Sequence, residues 1–255
     1  MNKIEIVNHA IWSLVEEAPH HEVIVKDNWV QKVTLNAPAP NMNGVYKCEI
    51  DDGVAEEKVI ETIKFFKDRK LPFRWKTCES SRPKNINYLL EKHGLVLKDE
   101  LYGLISMPNQ LDINHNSDVI VRELSLDMKK DWLIVQATAW RVPEKGIEYI
   151  DKFFEKELEL MKGKSKSYIA YIDDVPVASA STIFFENYAY LVGAATAPEY
   201  RGRGIYKSLL KRRISEIDEL NIPTVIHCVK DTSAPICLKL GFEKVSEIKS
   251  YELEL

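Results

Sequence analysis

The stretch from Tyr188 to Phe242 leaves the chain few ways to fold. A run of small and β-favouring residues, Tyr188 to Thr196, leads through Pro198 into Arg201-Gly202-Arg203-Gly204-Ile205-Tyr206. Ile205, Leu209, Leu210, Ile214 and Ile217 then recur at helical spacing, with Lys207, Lys211, Arg212 and Glu216 on the opposite face. Pro223 opens another β-rich run, Thr224 to Val229. A short helix is expected over about Ser233 to Leu240, Gly241 supplies its C-cap, and Phe242 starts the last β segment. Strand, glycine turn, amphipathic helix and strand in that order let the helix pack its apolar stripe onto a sheet.

Upstream, Val119 to Leu126 alternates like a strand, and Met128 to Trp140 and Ile147 to Met161 carry helical spacing. Ser167 to Ile172 and Val177 to Phe185 read as strands joined by the turn formers Asp173-Asp174-Val175-Pro176. The expected order from Val119 onward is βααβββαβαββ. Pro108 to Asp118 is polar and poor in periodicity and reads as a linker, which predicts domains at 1–112 and 117–255. The expected class is α+β, with two lobes, each a mixed, mostly antiparallel twisted sheet flanked by helices.

Composition narrows the function classes. With 45% hydrophobic and 29% charged residues the chain is globular, and a net charge of -4 gives no global positive field for nucleic acid or an anionic membrane. No apolar run of about 18 residues and no signal-peptide core is present, so a cytoplasmic protein without membrane partners is expected, as monomer or homodimer. Cys48, Cys78, Cys228 and Cys237 include no CxxC pair, and at least three are expected to be reduced core residues. His20-His21, the only histidine cluster, reads as a solvated turn, so no metal is expected.

The first half echoes the second. Leu90-Glu91-Lys92-His93-Gly94-Leu95 and Cys237-Leu238-Lys239-Leu240-Gly241-Phe242 share a helix-ending Lys-x-Gly-apolar pattern, each downstream of a strand opened by Leu71-Pro72 or Ile222-Pro223. An amphipathic helix precedes each proline, Glu57 to Lys70 and Ile205 to Leu220. We read the first half as a diverged copy that has lost the glycine loop: only Gly53 remains there, beside Asp51-Asp52. A single ligand site, in the second copy, follows.

A glycine turn at a helix N-terminus offers converging N–H groups and a favourable dipole to a pyrophosphate. Arg201, Arg203 and Lys207 add positive charge. The string from Ala197 to Ile205, continued through Lys239-Leu240-Gly241-Phe242, resembles the RxxGxG motif and downstream markers of the GCN5-related N-acetyltransferase (GNAT) family, over roughly Val119 to Leu255. Asn41-Met42-Asn43-Gly44-Val45, Pro72-Phe73-Arg74-Trp75 and Ser81-Arg82-Pro83 more loosely resemble the N-terminal lobe of tandem members. In such a lobe Trp29 and Trp75 are expected in the core.

The resemblance implies acetyl-CoA as co-substrate and direct attack of an amine on the thioester; the acceptor expected is a primary amine of a small molecule, with a protein terminus or lysine as the alternative. It implies that Ala194, Ala195 and Thr196 pair with the pantetheine arm while Arg201, Gly202, Arg203, Gly204, Ile205, Tyr206 and Lys207 hold the phosphates, with Ser233 counted among the cofactor-binding residues. The sequence departs from the family in two places. Cys237 occupies the position where members often have a tyrosine general acid, and Tyr206 replaces the last glycine of the motif. Cys237, as acid or as core thiol, and His227, as base or as structural histidine, are the catalytic candidates, and Glu186 is a further candidate base. The competing reading is a regulatory protein that binds acetyl-CoA without turnover.

Overall fold

A computed structural model describes residues 2–13, 21–34 and 40–253; of the His20-His21 pair, His20 lies outside the described residues. The chain forms two compact units, one of Met1–Ile105, His227–Lys239 and Glu243–Leu255, the other of Ser106–Ile226 and Leu240–Phe242. In chain order the elements of the first stretch are α1 (Lys3–Trp12), β1 (His21–Lys26), β2 (Trp29–Thr34), β3 (Gly44–Cys48), α2 (Asp52–Asp68), β4 (Phe73–Thr77), α3 (Ile86–Lys92) and β5 (Val96–Ser106). There follow β6 (Ile120–Glu123), α4 (Lys129–Thr138), α5 (Glu144–Leu160), β7 (Ser165–Ile172), β8 (Val175–Phe184), β9 (Ala189–Thr196), α6 (Ile205–Glu219), β10 (Thr224–Val229), α7 (Ala234–Lys239) and β11 (Glu243–Leu253).

The order of elements repeats. β1-β2-β3-α2-β4-α3-β5 and β7-β8-β9-α6-β10-α7-β11 are the same succession. In each, the third and fourth strands pair parallel, β3 with β4 and β9 with β10, while the hairpins before them pair antiparallel. The closing strands correct one expectation: β11 is a single run of 11 residues, so the chain ends in one strand where two were expected.

Each unit has its own core. In the first, the amphipathic face of α2 (Ala55, Val59, Ile63, Phe66) closes on Val45, Phe73 and Trp75, with Trp29 edge-on to Trp75 at 5.4 Å between ring centroids. Both tryptophans are buried, as expected. β11 lies between β4 and β5, pairing Lys249–Leu253 with Thr77–Phe73 and Glu243 onward with Ile105 downward. The last strand of the second copy therefore completes the sheet of the first unit. Backbone pairing over its whole length outweighs sequence proximity, because an unpaired edge in the interior would strand its N–H and C=O groups.

In the second unit β7 alternates strictly. Tyr168, Ala170 and Ile172 face Ile205 and Leu209 of α6, whereas Ile169 and Tyr171 face Val135 and Ala139 of α4. Asp173 and Asp174 hold φ of 50° and 60°, the pair of left-handed residues that closes a two-residue hairpin between β7 and β8. The expected strand Val119 to Leu126 is shorter, β6 covering four residues before a 3₁₀ turn at Leu126–Met128. No helix among the described residues is long and apolar enough to cross a membrane.

Candidate functional site

The glycine turn sits where β9 gives way to α6. After Thr196 a 3₁₀ turn, Pro198–Tyr200, hands the chain to Arg201, and Gly202 and Gly204 both adopt left-handed φ, 79° and 78°. Gly204 is the N-cap of α6 and no side chain caps that helix. Its first turn also holds no acidic residue, in contrast to Glu5 in α1, Asp52 in α2 and Glu144 in α5. The positive end of α6 is thus left without internal compensation.

Around that end the charges are exposed. Arg201, Arg203 and Lys207 are open to solvent, and Tyr206 is partly so. The Arg201 Nε donates to the Thr196 carbonyl at 3.2 Å, tying the turn to the end of β9, and the Arg203 guanidinium lies 5.2 Å from the Tyr200 ring centroid.

Strand β9 supplies the second half of the site. It pairs with β10 over Ala189, Tyr190 and Leu191 only. On its other side the register with β8 slips between Ser179 and Ser181, so Gly193 and Ala194 have no paired partner there. Ala194, Ala195 and Thr196 are partly exposed and lie beyond the β9–β10 pairing.

The structure gives tertiary partners to two residues, Asn116 and Trp140, for which local sequence signals supply none. Asn116, in the stretch read as a linker, donates from Nδ2 to the Arg203 carbonyl at 3.0 Å, and its backbone N–H reaches the Ser208 Oγ at 3.3 Å. Its side chain lies where a Cβ on Gly204 would approach it at 3.4 Å. The linker is thereby a brace for the turn, held further by buried Leu111 and Ile113. Trp140, following α4, donates from Nε1 to the Ser179 Oγ at 3.0 Å and lays its ring within 3.8 Å of the position a Gly193 Cβ would take. Its remaining surface, 41% of the residue, is exposed beside the β9 irregularity. Only the density of turn formers around Asn116 and the isolated tryptophan marked these positions, and neither signal names a tertiary partner.

The structure brings Arg201 to Lys207 and Ala194 to Thr196 together in the second unit, whereas Cys237, His227 and Ser233 belong to the first. Cys237 is wholly buried, with its Sγ 3.5 Å from the Sγ of Cys228, and both thiols are reduced. The Ser233 carbonyl accepts the Cys237 N–H at 3.2 Å in the first turn of α7. Glu186 is exposed in the bend between β8 and β9.

His227 has its Nε2 2.9 Å from the Val7 carbonyl, which can only accept, so Nε2 carries the proton and Nδ1 the lone pair. Burial, reinforced by the Lys76 charge, pushes its pKa down to about 3. A histidine depressed in the folded state leaves the unfolded chain binding more protons, so its contribution to stability is complete above about 6.5 and is lost as pH falls toward 3. Unfolding free energy is expected to drop by up to roughly 1.4 kcal/mol per pH unit in that window. Denaturant melts at pH 7 and 5 check this, with His227→Phe expected to flatten the difference.

Residues 131–242 match the family model described as Acetyltransferase (GNAT) family. Over this segment the chain is similar to GNAT domains. Solved structures extend the likeness of fold to the whole chain. A GCN5-related N-acetyltransferase from Kribbella flavida superposes with a TM-score of 0.70 at 14% identity, over 99% of this chain and 96% of that one. A Staphylococcus epidermidis protein of unknown function gives 0.68 at 14%, over 92% and 94%. A tandem GNAT protein from the clavulanic acid biosynthesis pathway gives 0.62 at 10%, over 98% and 87%. No curated protein matches the sequence. The order of elements over the whole chain is thus like that of a tandem GNAT protein. In the first unit α2 starts behind Asp51-Asp52, which places negative charge at the point in the order where α6 has its glycine turn.

Proposed function

We propose that the protein is an acetyl-CoA-dependent N-acetyltransferase that acetylates a primary amine of a small molecule. The observation that carries this reading is the uncapped, acid-free N-terminus of α6 behind two left-handed glycines, beside a stretch of β9 with unpaired backbone. In it the N–H groups of Gly202, Gly204, Ile205 and Tyr206 bind the pyrophosphate, and Arg201, Arg203 and Lys207 neutralise phosphate charge. The backbone of Ala194 to Thr196 pairs with the pantetheine arm.

The chemistry needs little more than positioning. The neutral amine nitrogen attacks the thioester carbon, the C–S bond breaks, and the thiolate takes up a proton as the nitrogen loses one. Trp140, rigidly held by Ser179 and stacked on Gly193, walls the space where the acceptor meets β9. Trp140→Ala is expected to raise KM for the amine by about tenfold while leaving acetyl-CoA affinity unchanged, as for loss of an aromatic contact to the acceptor alone. Steady-state kinetics with a panel of primary amines measures both; equal losses for amine and acetyl-CoA would contradict the assignment.

Acetyl-CoA binding without turnover is favoured by one observation, the closed packing of Cys237 at the position where the family often has its acid. Thiol release measured across the amine panel separates the two readings, since tight binding with no acceptor-dependent release supports the second. Cys237→Ala is expected to keep kcat within about twofold at every pH and to cost about 1 kcal/mol of stability, as for a core thiol. A loss of kcat confined to alkaline or acid pH would instead make Cys237 the proton donor.

A further inference from the structure

Among the described strands β1 pairs with β2 alone and β6 with β7 alone, so each is an edge of the sheet in its own unit. An edge strand leaves a row of N–H and C=O groups unpaired, and most proteins blunt it by short length, by charge or by a covering segment. β6 is blunted: it has four residues, with Arg122 over the Tyr171 ring and Glu123 ion-paired to Lys166 at 3.2 Å. β1 is not. It runs for six residues, His21–Lys26, and Ile24 and Val25, 40% and 60% exposed, project from its opposite faces.

The residues of this edge are self-complementary. Laid antiparallel to itself about Ile24, the segment Glu22-Val23-Ile24-Val25-Lys26 sets Glu22 opposite Lys26, Val23 opposite Val25 and Ile24 opposite Ile24. Opposed residues project from the same face, so opposite charges meet at both ends and apolar side chains meet between them. Glu22 and Lys26 are exposed, and among the described residues neither has an ion-pair partner within the chain. The other edge has no such symmetry: Ile120-Val121-Arg122-Glu123 laid against itself sets Ile120 opposite Glu123 and Val121 opposite Arg122.

The backbone permits the same register. Asp27-Asn28 joins β1 to β2, and the pair that closes this hairpin is Lys26 with Trp29. A two-residue connection makes the closing pair a hydrogen-bonded one, and antiparallel pairs alternate. Ile24 and Glu22 therefore also direct their backbone groups toward β2, while those of Val23 and Val25 point outward. Two such edges brought together bond Val23 of each copy to Val25 of the other, and Ile24 meets its counterpart on the two-fold axis as the close, non-hydrogen-bonded pair.

We propose that β1 is the interface of a homodimer, in which a second copy of this chain adds its own β1 antiparallel across a two-fold axis through Ile24. The unpaired N–H and C=O groups of the two edges satisfy one another, Ile24 and Val25 leave water, and two Glu22–Lys26 pairs fix the register. Five residues from each copy make a small interface, so a reversible dimer with a Kd of about 10–100 μM is expected rather than an obligate one. No part of this rests on the acetyl-CoA assignment, which concerns the other unit.

Sedimentation velocity of the full chain at concentrations from about 5 to about 500 μM tests the proposal, bracketing the expected Kd. Val25→Pro removes an N–H that points away from β2, so it is expected to keep the fold and to weaken association at least about tenfold. Glu22→Lys and Lys26→Glu each set like charges opposite one another and are each expected to weaken it about tenfold, whereas the two substitutions together restore it to within about threefold of wild type. Both charged residues are exposed, so this cycle decides the matter even if Val25→Pro fails to fold. A chain that stays monomeric at the highest concentration, a dimer indifferent to the single charge reversals, or no recovery in the double variant would each overturn it.

Discussion

Gly204→Glu is expected to weaken acetyl-CoA binding by at least about 100-fold, a loss of roughly 3 kcal/mol, while the fold survives. Three effects act together. The new side chain must occupy a left-handed φ of 78°, its Cβ meets Asn116 at 3.4 Å, and its carboxylate competes for the N–H groups that the pyrophosphate needs. The helix itself tolerates the change, because an acidic side chain at an N-cap complements the dipole and offsets part of the roughly 1–2 kcal/mol left-handed penalty. Arg201→Ala is expected to cost about tenfold by removing one charge-assisted contact. Calorimetry with acetyl-CoA, alongside thermal melts, reads both; an unchanged affinity in Gly204→Glu would sink the assignment of the turn.

The second large effect falls on stability. A Cβ built on Gly44 lies 2.0 Å from the carbonyl oxygen of Arg74, on a residue whose φ is 154°. The obstacle is backbone, so no rotamer change relieves it. Gly44 is also paired with Arg74 in the parallel β3–β4 ladder, and moving either strand breaks the packing of Val45 and Trp75. Gly44→Ala is expected to destabilise the protein by more than about 3 kcal/mol. Gly53 is the control: it lies in α2 with nothing within 4 Å of its Cβ position, so Gly53→Ala is expected to gain up to about 1 kcal/mol. Denaturant midpoints measure both. A Gly44→Ala midpoint equal to wild type would show that the strands can separate at little cost.

These two glycines illustrate what local sequence can carry. Gly204 is legible because its role is local: a turn, a helix start and two neighbouring arginines all lie within a few residues. Gly44 is adjacent to nothing in sequence that explains it, since its constraint is a carbonyl 30 positions away that only strand pairing brings close. The same division holds for Cys237. Its place in the motif order is readable from the chain, whereas its burial against Cys228 is a product of how α7 packs on β10.

The glycine turn, the amphipathic helix behind it, the hairpin at Asp173-Asp174 and the repeated order of the two copies were determined by the sequence itself. Each depends on periodicity or on backbone preferences acting over one or two turns of chain. The tertiary structure alone decided that β11 lies between β4 and β5, that Asn116 braces the turn from within the linker, and that Ser250 pairs with Lys76. These depend on which strands share a ladder, and a ladder joins residues by backbone hydrogen bonds that are chemically the same at every position. The residue types record which face a strand buries but not which strand lies beside it, so partners remote in sequence become known only when the sheet is assembled.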